Sequence, residues 1–194
     1  MLHQILANKQ VVLASASPRR KEIFEMLKIN ALIFPALVAE DSQCSSPHHL
    51  VMAHAKLKAE FVAAKMPADT IVVGADTIVH INNIVLSKPV DKYEAYEHLN
   101  QLSGTKHNVY SGIAVCYKNI TRLAYARSLV EFHTLSKQEI EDYIATGEPL
   151  DKAGAYGIQG YGSQFIKKIT GCYFNVMGFP VSTFYKLIKE LIIT

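Results

Sequence analysis

The octet LASASPRR, residues 13 to 20, gathers two hydroxyl groups and two guanidinium groups directly after a short apolar run. Its Ser-Pro step is typical of a helix start, with an N-cap serine and proline in the first helical position. A helix N-terminus presents unpaired backbone N–H groups and the positive end of the helix dipole, which suits a phosphate. The side chains that add donors there are Ser15, Ser17, Arg19 and Arg20. A plain helix cap with solvated arginines is the alternative interpretation.

Two acids and two lysines could complete such an anion site. Asp76 ends the apolar run TIVVGAD, and ligands in α/β folds collect at the carboxyl ends of strands. Glu40 lies in the polar segment AEDSQ, Lys56 has apolar neighbours, and Lys88 precedes a proline. Taken singly, these could be a turn-shaping aspartate, a surface glutamate and solvated lysines. Together, the cations can neutralise phosphate charge, while Asp76 and Glu40 can hold a divalent metal and position a water. This set of residues is suited to hydrolysing a nucleotide polyphosphate.

The segment PLDKAGAYGIQGYG, residues 149 to 162, places four glycines and Gln159 in one loop. Glycine at this density indicates either a backbone that approaches a ligand or a tortuous turn. Asp151 and Lys152 could form a local ion pair within it. The eight histidines show no zinc-binding spacing, and we expect a few of them to be core or surface residues. The Walker sequence is missing too, which excludes an ordinary P-loop NTPase.

The composition sets the class of protein. The 194 residues are 49% hydrophobic and 19% charged, typical of a globular protein with one sizeable core. A net charge of +3 is too small for bulk nucleic-acid binding. Three widely spaced cysteines argue against a disulfide framework and a thiolate zinc site. No run reaches the ~18 apolar residues of a membrane helix, and no secretory signal is recognisable, so we expect a cytoplasmic protein.

Strands alternate with helices along the chain, which predicts a mixed α/β domain. The predicted strands are 11–14, 31–35, 70–76, 106–117 and 123–133, with a hairpin formed by 78–81 and 84–86 around two asparagines. The predicted helices are 18–27, 47–65, 92–102, one that a capping box opens at Ser136 and Gly147 closes, and 180–191. No linker or repeat divides the chain, so we expect one domain covering residues 1–194.

Several long stretches resemble the Maf family of nucleoside triphosphate pyrophosphatases. They are LASASPRR, VVGADTIV, LSKPVDKYEAYEHLNQLSGTKHNVYSGIAV, YIATGEPLDKAGAYGIQGYGSQFIKKITG and NVMGFP, and the match extends from Val11 to Lys189. The resemblance implies a Maf/ITPase-like α/β fold, in which a mixed elongated sheet with flanking helices forms two lobes around a central cleft. GADT together with PLDKAGAYGIQG is similar to the branch that acts on dTTP and UTP. A second branch, directed at methylated GTP, carries GSDQ and lacks the second motif.

The resemblance also implies roles for individual residues. The family's general base corresponds to Asp76, its acidic loop residue to Glu40, and its two lysines to Lys56 and Lys88. Its phosphate-binding residues correspond to Ser15, Arg19 and Arg20, and the positions linked to base choice to Arg19, Thr77 and Gln159. Relatives usually have an acidic pair where this chain has Ala39-Glu40-Asp41, so either Glu40 or Asp41 is the metal-side acid. Phe179 replaces the usual leucine of NVMGFP, which we interpret as a change in the core.

We therefore expect a pyrophosphatase that hydrolyses dTTP and UTP, and modified pyrimidine nucleotides as a further option, to the monophosphate and pyrophosphate. Its expected cofactor is a divalent cation, Mg²⁺ or Mn²⁺. The expected partner is a small-molecule nucleoside triphosphate, not a nucleic acid or a membrane, and a homodimer is an open alternative to a monomer. The alternative function is a non-catalytic nucleotide-binding regulator of cell division or septation.

Overall fold

The computed structural model describes residues 1–39 and 46–192. Within them the helices are α1 (Leu2–Leu6), α2 (Pro18–Met26), α3 (Pro47–Ala63), α4 (Lys92–Leu102), α5 (Lys137–Ala145), α6 (Tyr173–Met177) and α7 (Val181–Ile192). The strands are β1 (Val11–Leu13), β2 (Ala31–Ile33), β3 (Ile71–Ile81), β4 (Ile84–Leu86), β5 (Lys106–Tyr117), β6 (Ile120–Phe132) and β7 (Ile166–Thr170). Short 3₁₀ segments cover Glu148–Asp151, Ala153–Ala155 and Gly160–Phe165. None of the helices in these two ranges is both long enough and apolar enough to cross a membrane.

The described strands form one mixed sheet of seven strands, in the order β2-β1-β3-β5-β6-β7 with β4 paired to β3. Strand β1 runs parallel to both β2 and β3, and its Val12 lies opposite Leu32 and Val72. Strands β4 and β7 pair antiparallel with β3 and β6. The three residues of β1 are all buried, as expected for a parallel strand covered on both faces. The expected α/β class, a mixed sheet with flanking helices, is confirmed.

By contacts the chain divides into two compact units. The first consists of Met1–Asp76, Ser111–Ala126 and Gly178–Thr194, and the second of Thr77–Tyr110 and Arg127–Met177. Each has its own buried apolar cluster. The cluster of the first unit is built from small and branched residues: Val12, Ala14, Ala55, Ala59, Val62, Val72, Ala114 and Cys116. A buried cluster of the second unit includes Leu99, Val130, Phe132 and Tyr156. The expectation of a single domain over 1–194 stays a prediction beside this division.

Three phenylalanine rings connect α2 with the C-terminal part of the first unit. The ring of Phe24 lies 5.1 Å from that of Phe179 and 5.7 Å from that of Phe184, and the last two are 5.2 Å apart. All three side chains are fully buried. Phe179 is therefore a core residue, as the sequence indicated for this departure from the family pattern, and α2 is fixed in place behind the octet that precedes it.

Helix α3 approaches the sheet unusually closely because glycines lie beneath it. A Cβ at Gly74 of β3 would collide with the carbonyl oxygen of Ala55 and with Ala59, and a Cβ at Gly112 of β5 would collide with the backbone of Val51. The alanine and valine side chains at these contacts are fully buried. Gly74 thus permits close approach of a helix to a strand, and brings the residues that flank this contact on α3 near the strand.

The structure differs from the sequence prediction in the length of β3 and in three short elements. The sequence predicted that this strand ends at Asp76, whereas β3 continues to Ile81. The reason is that Gly74 allows close packing of α3 and does not open a turn. The hairpin to β4 is confirmed, with Asn82 and Asn83 at left-handed φ values of 49° and 64°. The elements that the sequence did not predict, α1, α6 and β7, are five residues long each.

Candidate functional site

Ser15 and Arg20 form a hydrogen-bonded group at the start of α2. Nη1 of Arg20 donates to Oγ of Ser15 over 2.9 Å, and its Nε donates to the Gly178 carbonyl over 2.9 Å. The backbone N–H of Ser17 also donates to Oγ of Ser15, over 3.2 Å. Ser17 is the N-cap residue, as predicted, but its own side chain makes no capping hydrogen bond. The octet therefore holds a buried guanidinium in a fixed orientation beside a helix N-terminus, with half-buried Arg19 next to it.

Asp76 is buried, with 7% of its surface exposed, and both of its carboxylate oxygens have partners. Oδ1 accepts a hydrogen bond from Nζ of Lys58 over 2.7 Å, and Oδ2 lies 3.1 Å from Nδ1 of His54. Burial by itself would raise the pKa of Asp76, but the hydrogen bond to His54 and the positive charges of Lys58 and Arg20 lower that pKa below its usual range. Asp76 is therefore ionised at neutral pH and is a weak proton acceptor.

The lysine beside Asp76 is Lys58, which the sequence did not single out; the lysine of α3 that it singled out was Lys56. Nζ of Lys56 lies 3.8 Å from Oε1 of Glu60, and both side chains are about half exposed. Lys58 has 13% of its side chain exposed. The reason is geometric: two residues along a helix turn the side chain by about 200°, so Lys56 and Lys58 point in nearly opposite directions. The structure brings Lys58 to Asp76 and leaves Lys56 on the solvent side of α3.

The sequence also did not distinguish His54 from the other histidines, which were not expected to belong to the site. His54 and Lys58 are four residues apart and share one face of α3, while Gly74 and Asp76 are two residues apart and share one face of β3. Helix α3 packs on β3 at Gly74, so the two shared faces meet. The signal was present in these two spacings. It could be used only once α3 was known to pack on this strand.

The remaining predicted residues belong to the second unit. Lys88 is exposed in the turn between β4 and α4, and Gln159 is half-buried in the glycine-rich segment. The backbone N–H of Gly154 donates to the Ser87 carbonyl over 3.1 Å, so the LSKP turn and this segment are held together. Thr77 follows Asp76 directly in β3, and the two side chains therefore point to opposite faces of the strand.

The predicted ion pair of the glycine-rich segment is confirmed. Nζ of Lys152 lies 2.6 Å from Oδ1 of Asp151 and also donates to the Glu148 carbonyl over 2.7 Å. Lys152 is therefore occupied in holding its own segment together.

The donors available to a metal ion in the described part of the chain are few. Glu40 and Asp41, the predicted loop acids, lie outside the described residues. In the ranges 1–39 and 46–192, no group of three or more His, Cys, Asp or Glu side chains could hold a metal. Mg²⁺ typically binds one or two carboxylates together with substrate phosphates and water. The ionised carboxylate of Asp76 therefore fits a metal that is held jointly with a nucleotide.

Comparison with known proteins places the chain in a family. The family model described as "Maf-like protein" matches residues 10–191. This chain belongs to the Maf-like family. A protein of Clostridium tetani (strain Massachusetts / E88) named dTTP/UTP pyrophosphatase is 44% identical over 188 residues, which is 93% of this chain and 96% of that protein. A protein of the same name from Bacillus cereus (strain AH187) is 46% identical over 184 residues, 94% of each chain.

The Maf-like fold also has a solved structural neighbour. The structure of a HAM1 protein from Coxiella burnetii superposes with a TM-score of 0.51, covering 96% of this chain and 100% of that chain, at 12% sequence identity. At this identity the likeness shows the fold alone. The Maf-like match includes every candidate residue of the sequence: Ser15, Arg19, Arg20, Glu40, Lys56, Asp76, Thr77, Lys88 and Gln159.

Proposed function

We propose that this member of the Maf-like family hydrolyses dTTP and UTP between the α and β phosphates, giving the monophosphate and pyrophosphate. The observation that carries the proposal is the similarity, at 44–46% identity over more than nine tenths of each chain, to proteins named dTTP/UTP pyrophosphatase. The arrangement of Ser15, Arg20 and Asp76 in the first unit supports it, because an oriented guanidinium, a helix N-terminus and an ionised carboxylate are suited to a phosphate anhydride.

The phosphate groups are bound by Arg20, Ser15 and the backbone N–H groups at the start of α2, with Arg19 next to them. Each of these contacts places positive charge or a donor where negative charge develops on the oxygens around phosphorus. Lys58 takes the place of Lys56 in this proposal because its ammonium group lies 2.7 Å from Asp76. Lys88, exposed in its turn, contributes a second ammonium group to the departing pyrophosphate.

Asp76 orients the attacking water by accepting a hydrogen bond from it. Because the pKa of Asp76 is lowered, its carboxylate is a weak base, and the role of an orienting anion suits it better than that of a general base. Phosphoryl transfer needs little covalent assistance, so positioning and charge are the main requirements. A divalent cation, Mg²⁺ or Mn²⁺, would be held by Asp76 and the nucleotide, and when bound it would neutralise phosphate charge.

Selection of the pyrimidine base is assigned to Gln159, with Thr77 and Arg19 as further candidates. A carboxamide offers both a donor and an acceptor, as the edge of uracil or thymine requires. A purine presents a different order of donors and acceptors and would leave Gln159 unpaired. Nucleotide hydrolysis and three widely spaced cysteines are consistent with a cytoplasmic location, which we include in the proposal.

The test is incubation with each nucleoside triphosphate and Mg²⁺ or Mn²⁺, scoring pyrophosphate against orthophosphate. Pyrophosphate from UTP and dTTP is expected, and Asp76→Asn should lower kcat about 100-fold or more because the orienting anion is lost. Asp69→Asn, which changes an exposed aspartate, is the matched control. Orthophosphate as the first product refutes cleavage between the α and β phosphates. Tight nucleotide binding without turnover supports the regulator instead.

A further inference from the structure

The side chain of Glu148 closes the glycine-rich segment into a ring. Its Oε1 accepts hydrogen bonds from the Tyr143 hydroxyl over 2.9 Å and from the backbone N–H of Gly162 over 3.2 Å. Its Oε2 accepts from the backbone N–H of Tyr161 over 2.9 Å. The main chain leaves Glu148 and returns to the same carboxylate 14 residues later. We call residues 148–162 the ring.

Tyr143, on α5, braces the ring from the core side. Its hydroxyl accepts a hydrogen bond from the backbone N–H of Gly157 over 3.3 Å while it donates to Glu148. Only 3% of Tyr143 is exposed, and this burial raises the pKa of its hydroxyl, so the hydroxyl stays protonated and remains a donor. One phenol and one carboxylate therefore fix three backbone amides of the ring, those of Gly157, Tyr161 and Gly162.

The positions of two glycines fit these contacts. Gly160 has a left-handed φ of 72°, and a Cβ there would lie 2.6 Å from Oε2 of Glu148. A Cβ at Gly162 would lie 2.6 Å from the Tyr143 hydroxyl. Both glycines are thus needed because the backbone packs on Glu148 and Tyr143. The base-selecting candidate Gln159 lies immediately before Gly160, two residues after the clamped amide of Gly157 and two before that of Tyr161.

We infer that Glu148 is a positioning residue for base selection, holding the ring so that Gln159 is presented to the pyrimidine. This inference rests on the proposed function, since it deepens the role given there to Gln159. Glu148 itself acts on the backbone of residues 161 and 162 and not on the nucleotide. Loss of its carboxylate should therefore have the same effect as loss of the Gln159 side chain, namely a lower kcat/KM for UTP and dTTP with poor purine substrates nearly unchanged.

The first experiment needs no activity. Glu148→Gln keeps the size of the side chain but replaces one acceptor oxygen by an amide N–H₂, which cannot accept from a backbone N–H. Hydrogen exchange at residues 157–162 of the nucleotide-free full chain should accelerate about tenfold or more. Glu141→Gln, which changes an exposed carboxylate of α5, is the control and should leave exchange there unchanged. Should Glu148→Gln not fold, Tyr143→Phe tests the same clamp. Unchanged exchange in the folded variant overturns the inference.

The second experiment measures selectivity. Glu148→Gln should lower kcat/KM for UTP and dTTP about tenfold, with poor purine substrates nearly unchanged. In a Gln159→Ala background, Glu148→Gln should lower kcat/KM by less than a further factor of about two, because both substitutions remove the same interaction with the base. A uniform loss for all nucleotides, or losses that multiply in the double variant, overturns positioning through Gln159. Failure of the proposed function appears separately, as a wild-type protein that forms no pyrophosphate from UTP, while the exchange experiment still decides the clamp.

Discussion

Replacing Lys58 with methionine should harm the protein far more than the same replacement at Lys56. The two lysines lie two residues apart on the same helix, so the two variants are a matched comparison. Methionine keeps the aliphatic length and removes the charge. Only Lys58 has a buried carboxylate as its partner, with Nζ 2.7 Å from Oδ1 of Asp76 and 13% and 10% of the two side chains exposed.

The magnitude follows from burial. Removing one partner of a buried ion pair costs about 3–5 kcal/mol when the other charge is left uncompensated. Asp76 would keep His54 at 3.1 Å and the field of Arg20, so we expect a smaller loss, of about 1.5–3 kcal/mol, the value of one hydrogen bond to a charged group. The pair of Lys56 and Glu60 is about half exposed and 3.8 Å long, and its loss should cost about 0–1 kcal/mol.

Urea unfolding followed by far-ultraviolet circular dichroism measures the difference, since the chain has no tryptophan to report by fluorescence. Pyrophosphate release measures the catalytic side: Lys58→Met should lose about tenfold or more in kcat/KM, and Lys56→Met should change it little. Equal stability and equal activity of the two variants would refute the reasoning. A larger effect at Lys56 would restore the assignment that the sequence suggested.

Two further predictions concern burial. His107 is fully buried beside Tyr156, and burial lowers the pKa of His107 to about 4, against about 6.5 in the unfolded chain. The unfolded chain therefore binds more protons between these pH values, and the free energy of unfolding should fall as the pH drops from about 6.5 to about 4. Urea titrations at several pH values, on the wild type, on His107→Gln and on the control His133→Gln at an exposed position, measure this dependence. It should be reduced in His107→Gln and not in His133→Gln. Gly74→Ala should lose about 1–3 kcal/mol of stability because its Cβ meets the backbone of α3, and kcat should fall with it as Lys58 is displaced from Asp76. A Gly74→Ala protein with wild-type melting and turnover would contradict the close packing of α3 on β3.

Local signals in the sequence predicted the local structure well. The Ser-Pro steps at Ser17 and Ser46 open α2 and α3, and Ser136 forms the predicted capping box with Glu139. These features depend on a few neighbouring residues, so their physics is visible in the sequence. Strand β7, with the sequence IKKIT, was missed because it is short and lacks the period-two alternation of apolar and polar residues that predicts a strand; pairing with β6 makes it one.

The candidate site could be predicted in residue type but not in every position. Asp76 and the octet around Arg20 were singled out because each places charged side chains directly after an apolar run. Lys58 and His54 were not, because their role depends on which face of α3 meets β3, and that is a tertiary fact set by a glycine in another element. The roles given to all of these residues, and to Thr77, Lys88 and Gln159, stay predictions.

The ring closed by Glu148 has a consequence for how the protein folds. A contact that spans 14 residues is local in the chain, and the entropic cost of closing such a loop is below that of closing the longer loops between distant strands. Loops of this size close in about 10–100 ns, far faster than the pairing of strands distant in sequence. The hydrogen bonds from residues 161 and 162 to Glu148 can therefore form transiently before the sheet assembles, and packing of Tyr156 on Phe132 of β6 then fixes the segment.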